Sequence, residues 1–125
     1  MKVVLIEDNV GIQKVYREGL ELRGFQISIA ADYSTALTLI KQVKPDVILL
    51  DLLMPKVNGM DMLRILKADN RVKDIPVIVL TNLDDETLQH SALEIGAATF
   101  IIKADITLDR LAEIIKSTPT RTPSE

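Results

Sequence analysis

The chain of 125 residues contains no cysteine, no tryptophan and a single histidine, His90. Without cysteine, disulfide bonds, thiolate catalysis and cysteine-ligated zinc are all excluded. One histidine also excludes metal sites built from several histidines and most hydrolases that pair a serine with a histidine. These absences leave carboxylates, hydroxyls and lysines as the side chains that could carry chemistry.

Long apolar runs and a strong net charge are also missing. The longest apolar runs span about four residues, far fewer than the roughly 20 needed to cross a bilayer. Glu7 and Asp8 follow the first run directly, so the N-terminus is too short and too acidic for a signal peptide. With 15 basic and 18 acidic side chains the net charge is −3, which predicts neither nucleic-acid binding nor a basic membrane-binding surface. We therefore expect a soluble, cytoplasmic protein.

What the chain does contain is an alternation of short apolar runs with amphipathic segments. An apolar fraction of 47% and a charged fraction of 26% are ordinary for one globular domain of this length. Five runs rich in Val, Ile and Leu are too short for helices and are predicted strands, at 3–6, 26–30, 47–50, 75–80 and 99–102. Because these runs lack polar alternation, they suit a parallel sheet covered on both faces.

Apolar residues at helical spacing follow each predicted strand. The predicted helices lie near residues 12–20, 33–40, 59–66, 88–95 and 108–115. The candidate N-caps are Asp32 or Ser34, Asp84 or Asp85, and Thr107. Five successive β–α units predict an α/β fold with right-handed crossovers and a doubly wound, five-stranded parallel sheet. We assign residues 1–117 to this domain and the polar residues 118–125, which include two prolines, to a tail or truncated linker.

Polar side chains follow four of the predicted strands. The first strand leads into Glu7 and Asp8, the third into Asp51, the fourth into Thr81 and the fifth into Lys103. In such sheets ligands bind beyond the carboxyl ends of the strands. We therefore expect three carboxylates, a hydroxyl and an ammonium to meet at one edge of the sheet.

A cluster of this kind favours a hard cation. Three carboxylates within about 4–6 Å repel by about 3–4 kcal/mol per pair at an effective dielectric near 20, so they take up protons or bind a cation. Oxygen ligands without His or Cys nearby suit Mg²⁺, together with water and a phosphate. An aspartate beside Mg²⁺ and a lysine is a reasonable nucleophile toward a phosphoryl group.

The order and spacing of these motifs resemble the receiver domain of two-component response regulators, in particular the single-domain chemotaxis type, over residues 2–117. The matching motifs are Val-Val-Leu-Ile-Glu-Asp-Asn, Asp-Val-Ile-Leu-Leu-Asp-Leu-Leu-Met-Pro, Val-Ile-Val-Leu-Thr, Gly-Ala and Ile-Ile-Lys. The resemblance implies a flavodoxin-like sheet with strand order 2-1-3-4-5. It also implies a regulatory phosphoprotein, not an enzyme, that receives its phosphoryl group from a histidine kinase or phosphotransfer protein.

The resemblance also implies the residues of the phosphorylation site. Asp51 is the expected phosphoacceptor, and Glu7, Asp8, Asp51 and the backbone carbonyl of Leu53 are the expected Mg²⁺ ligands. Such a domain assists its own phosphorylation and a slow dephosphorylation. Because the apolar residues Leu53 and Leu83 flank the route by which water would reach an acyl phosphate, we expect self-hydrolysis to be slow.

A conformational switch is implied as well. Thr81 is expected to contact the phosphoryl oxygen and Lys103 to pair first with the carboxylate and then with the phosphoryl group. Phe100 occupies the position of the family's aromatic switch. The surface formed by the fourth helix, the fifth strand and the fifth helix, including Leu93, Phe100 and Ile114, is expected to contact a downstream protein or a second copy of the chain.

Two positions depart from the family pattern. Ala104 follows Lys103 where the family usually has a proline joined by a cis peptide, and Asn82 follows Thr81 where a small residue is usual. The Asn82 side chain either narrows access to the site or forms a hydrogen bond within it.

Two other functions stay open. A receiver-like interaction module that is never phosphorylated remains compatible with the departures at Asn82 and Ala104. A Mg²⁺-dependent phosphohydrolase with an aspartyl nucleophile would commonly place an acidic proton donor where Leu53 stands. Neither a GxGxxG nor a Walker A sequence is present, so dinucleotide and nucleoside triphosphate binding are not predicted.

Overall fold

The structure, a computed structural model, describes residues 1–54 and 57–119 of the chain. Within these ranges the elements follow in the order β1 (Lys2–Ile6), α1 (Val10–Glu21), β2 (Gln26–Ala30), α2 (Tyr33–Val43), β3 (Val47–Leu50), β4 (Leu53–Met54), β5 (Val57–Asn58), α3 (Gly59–Ala68), β6 (Val77–Thr81), α4 (Glu86–Ile95), β7 (Thr99–Ile102) and α5 (Leu108–Ser117). None of the helices in the described ranges is long and apolar enough to cross a bilayer.

Five of the strands form one parallel sheet in the order β2-β1-β3-β6-β7. The remaining two, β4 and β5, pair with each other as a short antiparallel hairpin outside the sheet. Counted without this hairpin, the sheet has the order 2-1-3-4-5, so the predicted flavodoxin-like α/β fold is confirmed. The hairpin itself was not predicted, because strands of two residues carry no periodic signal.

Two apolar clusters cover the two faces of the sheet, since successive strand residues point to opposite sides. One cluster joins the sheet to α2, α3 and α4 through residues such as Ile48, Leu50 and Leu63. The other joins it to α1 and α5 through residues such as Leu49 and Leu111. Every residue of β3 and β6 is buried, as expected for central strands packed on both faces.

The helices begin where the sequence places their caps. Asp32, Asp85 and Thr107 accept backbone N–H groups at the starts of α2, α4 and α5. Helix α4 ends at Gly96, whose φ of 127° is a backbone conformation that favours glycine. The three N-caps lie in loops that follow strands, at the carboxyl edge of the sheet.

The described structure differs from the predictions at the start of β1, at both ends of β6 and at the start of the tail. Strand β6 begins at Val77 and not at residue 75, because Ile75 is buried in a turn and its N–H donates to the carbonyl of Val72. Thr118, assigned to the tail, completes the end of α5, since its N–H and hydroxyl both donate to the carbonyl of Ile114. Residues 120–125 of the predicted tail lie outside the described residues.

Candidate functional site

The ends of β1 and β3 bring Glu7 and Asp51 together. Ile6 and Leu50 are register partners in the two neighbouring strands, so the residues that follow them leave the sheet side by side. Both are buried, with relative exposures of 1% for Glu7 and 5% for Asp51. One carboxylate oxygen from each of Glu7, Asp8 and Asp51 lies within 4.8 Å of the other two. The three predicted carboxylates therefore lie close together in the structure.

Lys103 follows the edge strand β7 and contacts both buried carboxylates. It lies at the start of a 3-10 turn, Lys103–Asp105, which follows β7 directly. Its Nζ lies 2.5 Å from Glu7 Oε1 and 3.2 Å from Asp51 Oδ2. The described residues contain no cis peptide bond, so the Lys103–Ala104 bond is trans. Lys103 thus occupies the predicted place with alanine as the next residue.

Backbone N–H groups hold the other oxygen of each buried carboxylate. Asn9 N–H donates to Glu7 Oε2 at 3.1 Å, and Leu53 N–H donates to Asp51 Oδ1 at 3.0 Å. Because both oxygens of Asp51 are engaged by donors, the orientation of its carboxylate is fixed. The carbonyl of Leu53, the fourth expected Mg²⁺ ligand, stays a prediction.

The backbone of Asp51 is held by Tyr33, a residue that the sequence pattern does not place in the site. The hydroxyl of Tyr33, at the start of α2, donates to the carbonyl of Asp51 at 2.7 Å, and the side chain is buried. Gly59 makes room for this contact, because a Cβ there would lie 2.8 Å from the Tyr33 hydroxyl and 2.4 Å from Leu52 Cα. In the sequence, Tyr33 is indistinguishable from the apolar residues of its helix.

Among residues 1–54 and 57–119, Lys103 is the cation that forms salt bridges with this cluster of three carboxylates. Burial raises the pKa of Glu7, the Lys103 ammonium opposes that rise, and the nearby Asp51 charge adds to it. Burial alone would lower the pKa of Lys103, but its contacts with Glu7 and Asp51 outweigh burial and raise it. Lys103 is therefore a cation at neutral pH, facing a cluster of three carboxylates that includes Asp8.

These donors fit a hard divalent cation. All three are carboxylate oxygens, Asp8 is partly exposed to solvent, and the cluster carries more negative than positive charge. Mg²⁺ prefers such oxygen ligands and retains several waters, so it does not need an enclosed cage. The residues present therefore agree with the predicted Mg²⁺ site at Glu7, Asp8 and Asp51.

The two predicted switch residues lie on the neighbouring strands β6 and β7. Thr81 is completely buried at the end of β6, and its Oγ1 accepts the N–H of Leu83 at 3.3 Å. Phe100 lies in the edge strand β7, is half-buried and packs against the cluster beneath α2, α3 and α4. The structure thus places an aromatic residue on the edge strand beside β6.

The two other predicted output residues lie on helices α4 and α5. Leu93 on α4 is 43% exposed, whereas Ile114 on α5 is half-buried against the other apolar cluster. Phe100 and Ile114 therefore pack on opposite faces of the sheet. Among the three output residues, only Leu93 has a largely exposed apolar side chain.

The fold and this constellation define an α/β domain with an acidic site at the carboxyl edge of its parallel sheet. The pattern of the response regulator receiver domain matches residues 3–116. The chain therefore belongs to the receiver domain family of response regulators, which are signalling domains.

Individual relatives agree with this assignment. The chain is 32% identical over 102 residues to the DNA-binding response regulator MtrA of Mycobacterium leprae, covering 82% of this chain and 44% of that protein. Chemotaxis protein CheY4 of Vibrio cholerae has a similar structure, with a TM-score of 0.86, 22% identity, and coverage of 94% of this chain and 98% of that one. The BeF3-activated receiver domain of Klebsiella pneumoniae RstA is also similar, with a TM-score of 0.82 and 27% sequence identity. The match covers 91% of this chain and 95% of that one. The chain spans less than half the length of the curated relatives it matches.

Proposed function

We propose that this chain is the phosphoacceptor of a two-component or phosphorelay system and that Asp51 carries the phosphoryl group. The observation that carries the proposal is the setting of Asp51, a buried carboxylate held between the Lys103 ammonium and the Leu53 N–H beside two further acidic residues. A carboxylate that served only as a strand terminus would not need this arrangement of donors. The family assignment supports the same role.

The donor would be a phosphohistidine on a kinase or phosphotransfer protein. An Asp51 carboxylate oxygen attacks the phosphorus, an oxygen–phosphorus bond forms, and the phosphorus–nitrogen bond breaks with its electron pair returning to the imidazole. Asp51 then changes from a charge of −1 to a group near −2 with several acceptor oxygens. Lys103 already touches Asp51 and is placed to pair with the added charge.

Glu7, Asp8 and Asp51, with the carbonyl of Leu53, would hold the Mg²⁺. When bound, Mg²⁺ neutralises charge on the oxygens of the transferring phosphoryl group. The MtrA and RstA relatives, a response regulator and a receiver domain, support a signalling role for this site.

The response would be a shift between two conformations. The Thr81 hydroxyl accepts one hydrogen bond from Leu83, so its proton can be donated to a phosphoryl oxygen. Movement of Thr81 toward that oxygen would open space for the half-buried Phe100 and change the surface that includes Leu93. The size of such a shift is limited by the difference in contacts between the two states. The changed surface would bind a downstream protein or a second copy of the chain, in the cytoplasm.

The first test is the intact mass of the protein after incubation with acetyl phosphate, with and without Mg²⁺. A Mg²⁺-dependent gain of one phosphoryl group is expected, and Asp51→Asn should show no gain. If the wild-type protein gains no mass, binding of beryllofluoride with Mg²⁺ tests the site without a phosphodonor. Failure of both assays would overturn the proposal and favour the interaction module that is never phosphorylated.

The lifetime of the phosphoryl group separates the receiver from the phosphohydrolase. Leu53 is 53% exposed and has no group that could donate a proton to a leaving oxygen. We therefore propose slow loss of the phosphoryl group. Continuous turnover of acetyl phosphate, with a phosphoryl half-life of only seconds, would contradict this part of the proposal.

A further inference from the structure

One hydrogen bond joins the loop after β6 to the turn after β7, outside the cluster of carboxylates. Asn82 Oδ1 accepts the N–H of Ala104 at 3.1 Å. Thr81 and Ile102 are the last register partners of the two strands, so residues 82 and 103 leave the sheet side by side. The Asn82 side chain therefore continues the connection between β6 and β7 just beyond their last paired residues.

The 3-10 turn that begins at Lys103 needs an acceptor at its start. The first N–H groups of a helical turn have no partner within the turn, and asparagine is among the side chains that best satisfy them. Ile102, which precedes the turn, provides no side-chain cap, and the N–H of Ile106 lies 3.5 Å from the Lys103 carbonyl. Asn82 thus acts as a cap supplied by the neighbouring loop.

We propose that Asn82 is a positioning residue that fixes the turn carrying Lys103 to Glu7 and Asp51. The contact requires an N–H at position 104, which alanine supplies and proline would lack. Asn82 and Ala104 are the two site positions at which the sequence departs from its family pattern, and the structure joins them as acceptor and donor. This inference rests on the proposed phosphoacceptor function of the site.

The expected effect is modest because both residues are exposed. Loss of one such hydrogen bond corresponds to about a two- to tenfold change in the population of the correctly placed turn. Phosphorylation of Asp51 should slow by a similar factor when this bond is removed, since Lys103 contacts the reacting carboxylate. Mg²⁺ affinity should change much less, because Asn82 does not contact the three carboxylates.

The test uses nuclear magnetic resonance together with phosphorylation rates. In Asn82→Ala we expect the Ala104 amide proton and the Lys103 side-chain signals to shift, and phosphorylation by acetyl phosphate with Mg²⁺ to slow about two- to tenfold. Asn82→Asp keeps an accepting oxygen and should therefore preserve the hydrogen bond from the Ala104 amide. Asn70→Ala, which removes the same atoms from an exposed turn elsewhere, should change neither readout.

A double-mutant cycle shows whether the contact itself is responsible. In an Ala104→Pro background the donor is already gone, so Asn82→Ala should cause no further slowing. An equal slowing in both backgrounds, or an unchanged Ala104 amide and Lys103 signal in Asn82→Ala, would overturn the inference. If the Ala104 and Lys103 signals shift in Asn82→Ala but the wild-type protein is not phosphorylated, the inference about Asn82 holds. Only the proposed phosphoacceptor function is then wrong.

Discussion

Replacing Lys103 with methionine removes the ammonium that touches two carboxylates of the site while keeping most of the side-chain volume. The Nζ atom lies 2.5 Å from Glu7 Oε1 and 3.2 Å from Asp51 Oδ2, and the lysine side chain is only 10% exposed. At an effective dielectric of about 20, each contact contributes about 5–7 kcal/mol of attraction. Lys103→Met would therefore leave Glu7, Asp8 and Asp51 close together without the Lys103 ammonium.

Two effects reduce the cost of this substitution. The variant no longer buries an ammonium, and Glu7, whose pKa burial already raises, can take up a proton. Removing one partner of a buried ion pair typically destabilises a protein by about 3–5 kcal/mol. With a urea m-value of about 1.5 kcal/mol/M for a small domain, the unfolding midpoint should fall by about 2–3 M.

The assay is urea unfolding followed by circular dichroism in EDTA, with the exposed Lys14→Met on α1 as the matched control. Lys14→Met should leave the midpoint unchanged. Because methionine does not compete with a cation for the carboxylates, Mg²⁺ should stabilise Lys103→Met more than the wild-type protein. Asp51→Asn, introduced into Lys103→Met, should restore part of the lost stability by relieving repulsion. A Lys103→Met midpoint equal to that of the wild-type protein in EDTA would refute this account of the site.

Two further predictions concern residues around the site. Tyr33→Phe leaves the Asp51 carbonyl without its hydroxyl donor in a buried place, so the free energy of unfolding should fall by about 1–3 kcal/mol in urea titrations; no change would contradict the assigned contact. Hydrogen bonds from Thr35 N–H, the Thr35 hydroxyl and the Ser34 hydroxyl hold the pKa of Asp32 below its usual value. Its stabilisation is therefore present above the unfolded pKa and lost as pH falls through the folded pKa. Asp32→Asn keeps an accepting oxygen but cannot titrate, so the stability difference from wild type should shrink below about pH 4, whereas a constant difference would argue against this origin.

The fold was predictable because its strands are short apolar runs that lie between more polar segments of the sequence. The residues 26–30, 47–50 and 99–102 are strands in the structure with the bounds read from the sequence. The start of the predicted fourth strand was harder to place, because Ile75 is apolar for the same reason as a strand residue but is buried in a turn. An apolar run shows that residues are buried and does not show which backbone conformation buries them.

The residues that meet at the carboxyl edge were predictable for a different reason. Glu7, Asp51 and Lys103 each follow a strand and Thr81 ends one, and a parallel sheet brings such positions to one edge. The contacts of Tyr33 and Asn82 could not be predicted from their own segments. Tyr33 meets a carbonyl 18 residues away, and the Asn82 contact depends on the register of two strands that the sequence does not specify.

The reach of Lys103 explains why the turn that carries it matters. In the sheet order, β7 is separated from β3 by β6 and from β1 by two strands. With neighbouring strands about 4.8 Å apart, these separations are about 10 and 14 Å, more than the four-carbon stem of a lysine can span alone. The Glu7 and Asp51 side chains and the 3-10 turn at Lys103 must therefore close the remaining gap. A small displacement of this turn would break contacts with both carboxylates at once, so the loop that holds the turn is as much a part of the site as the lysine.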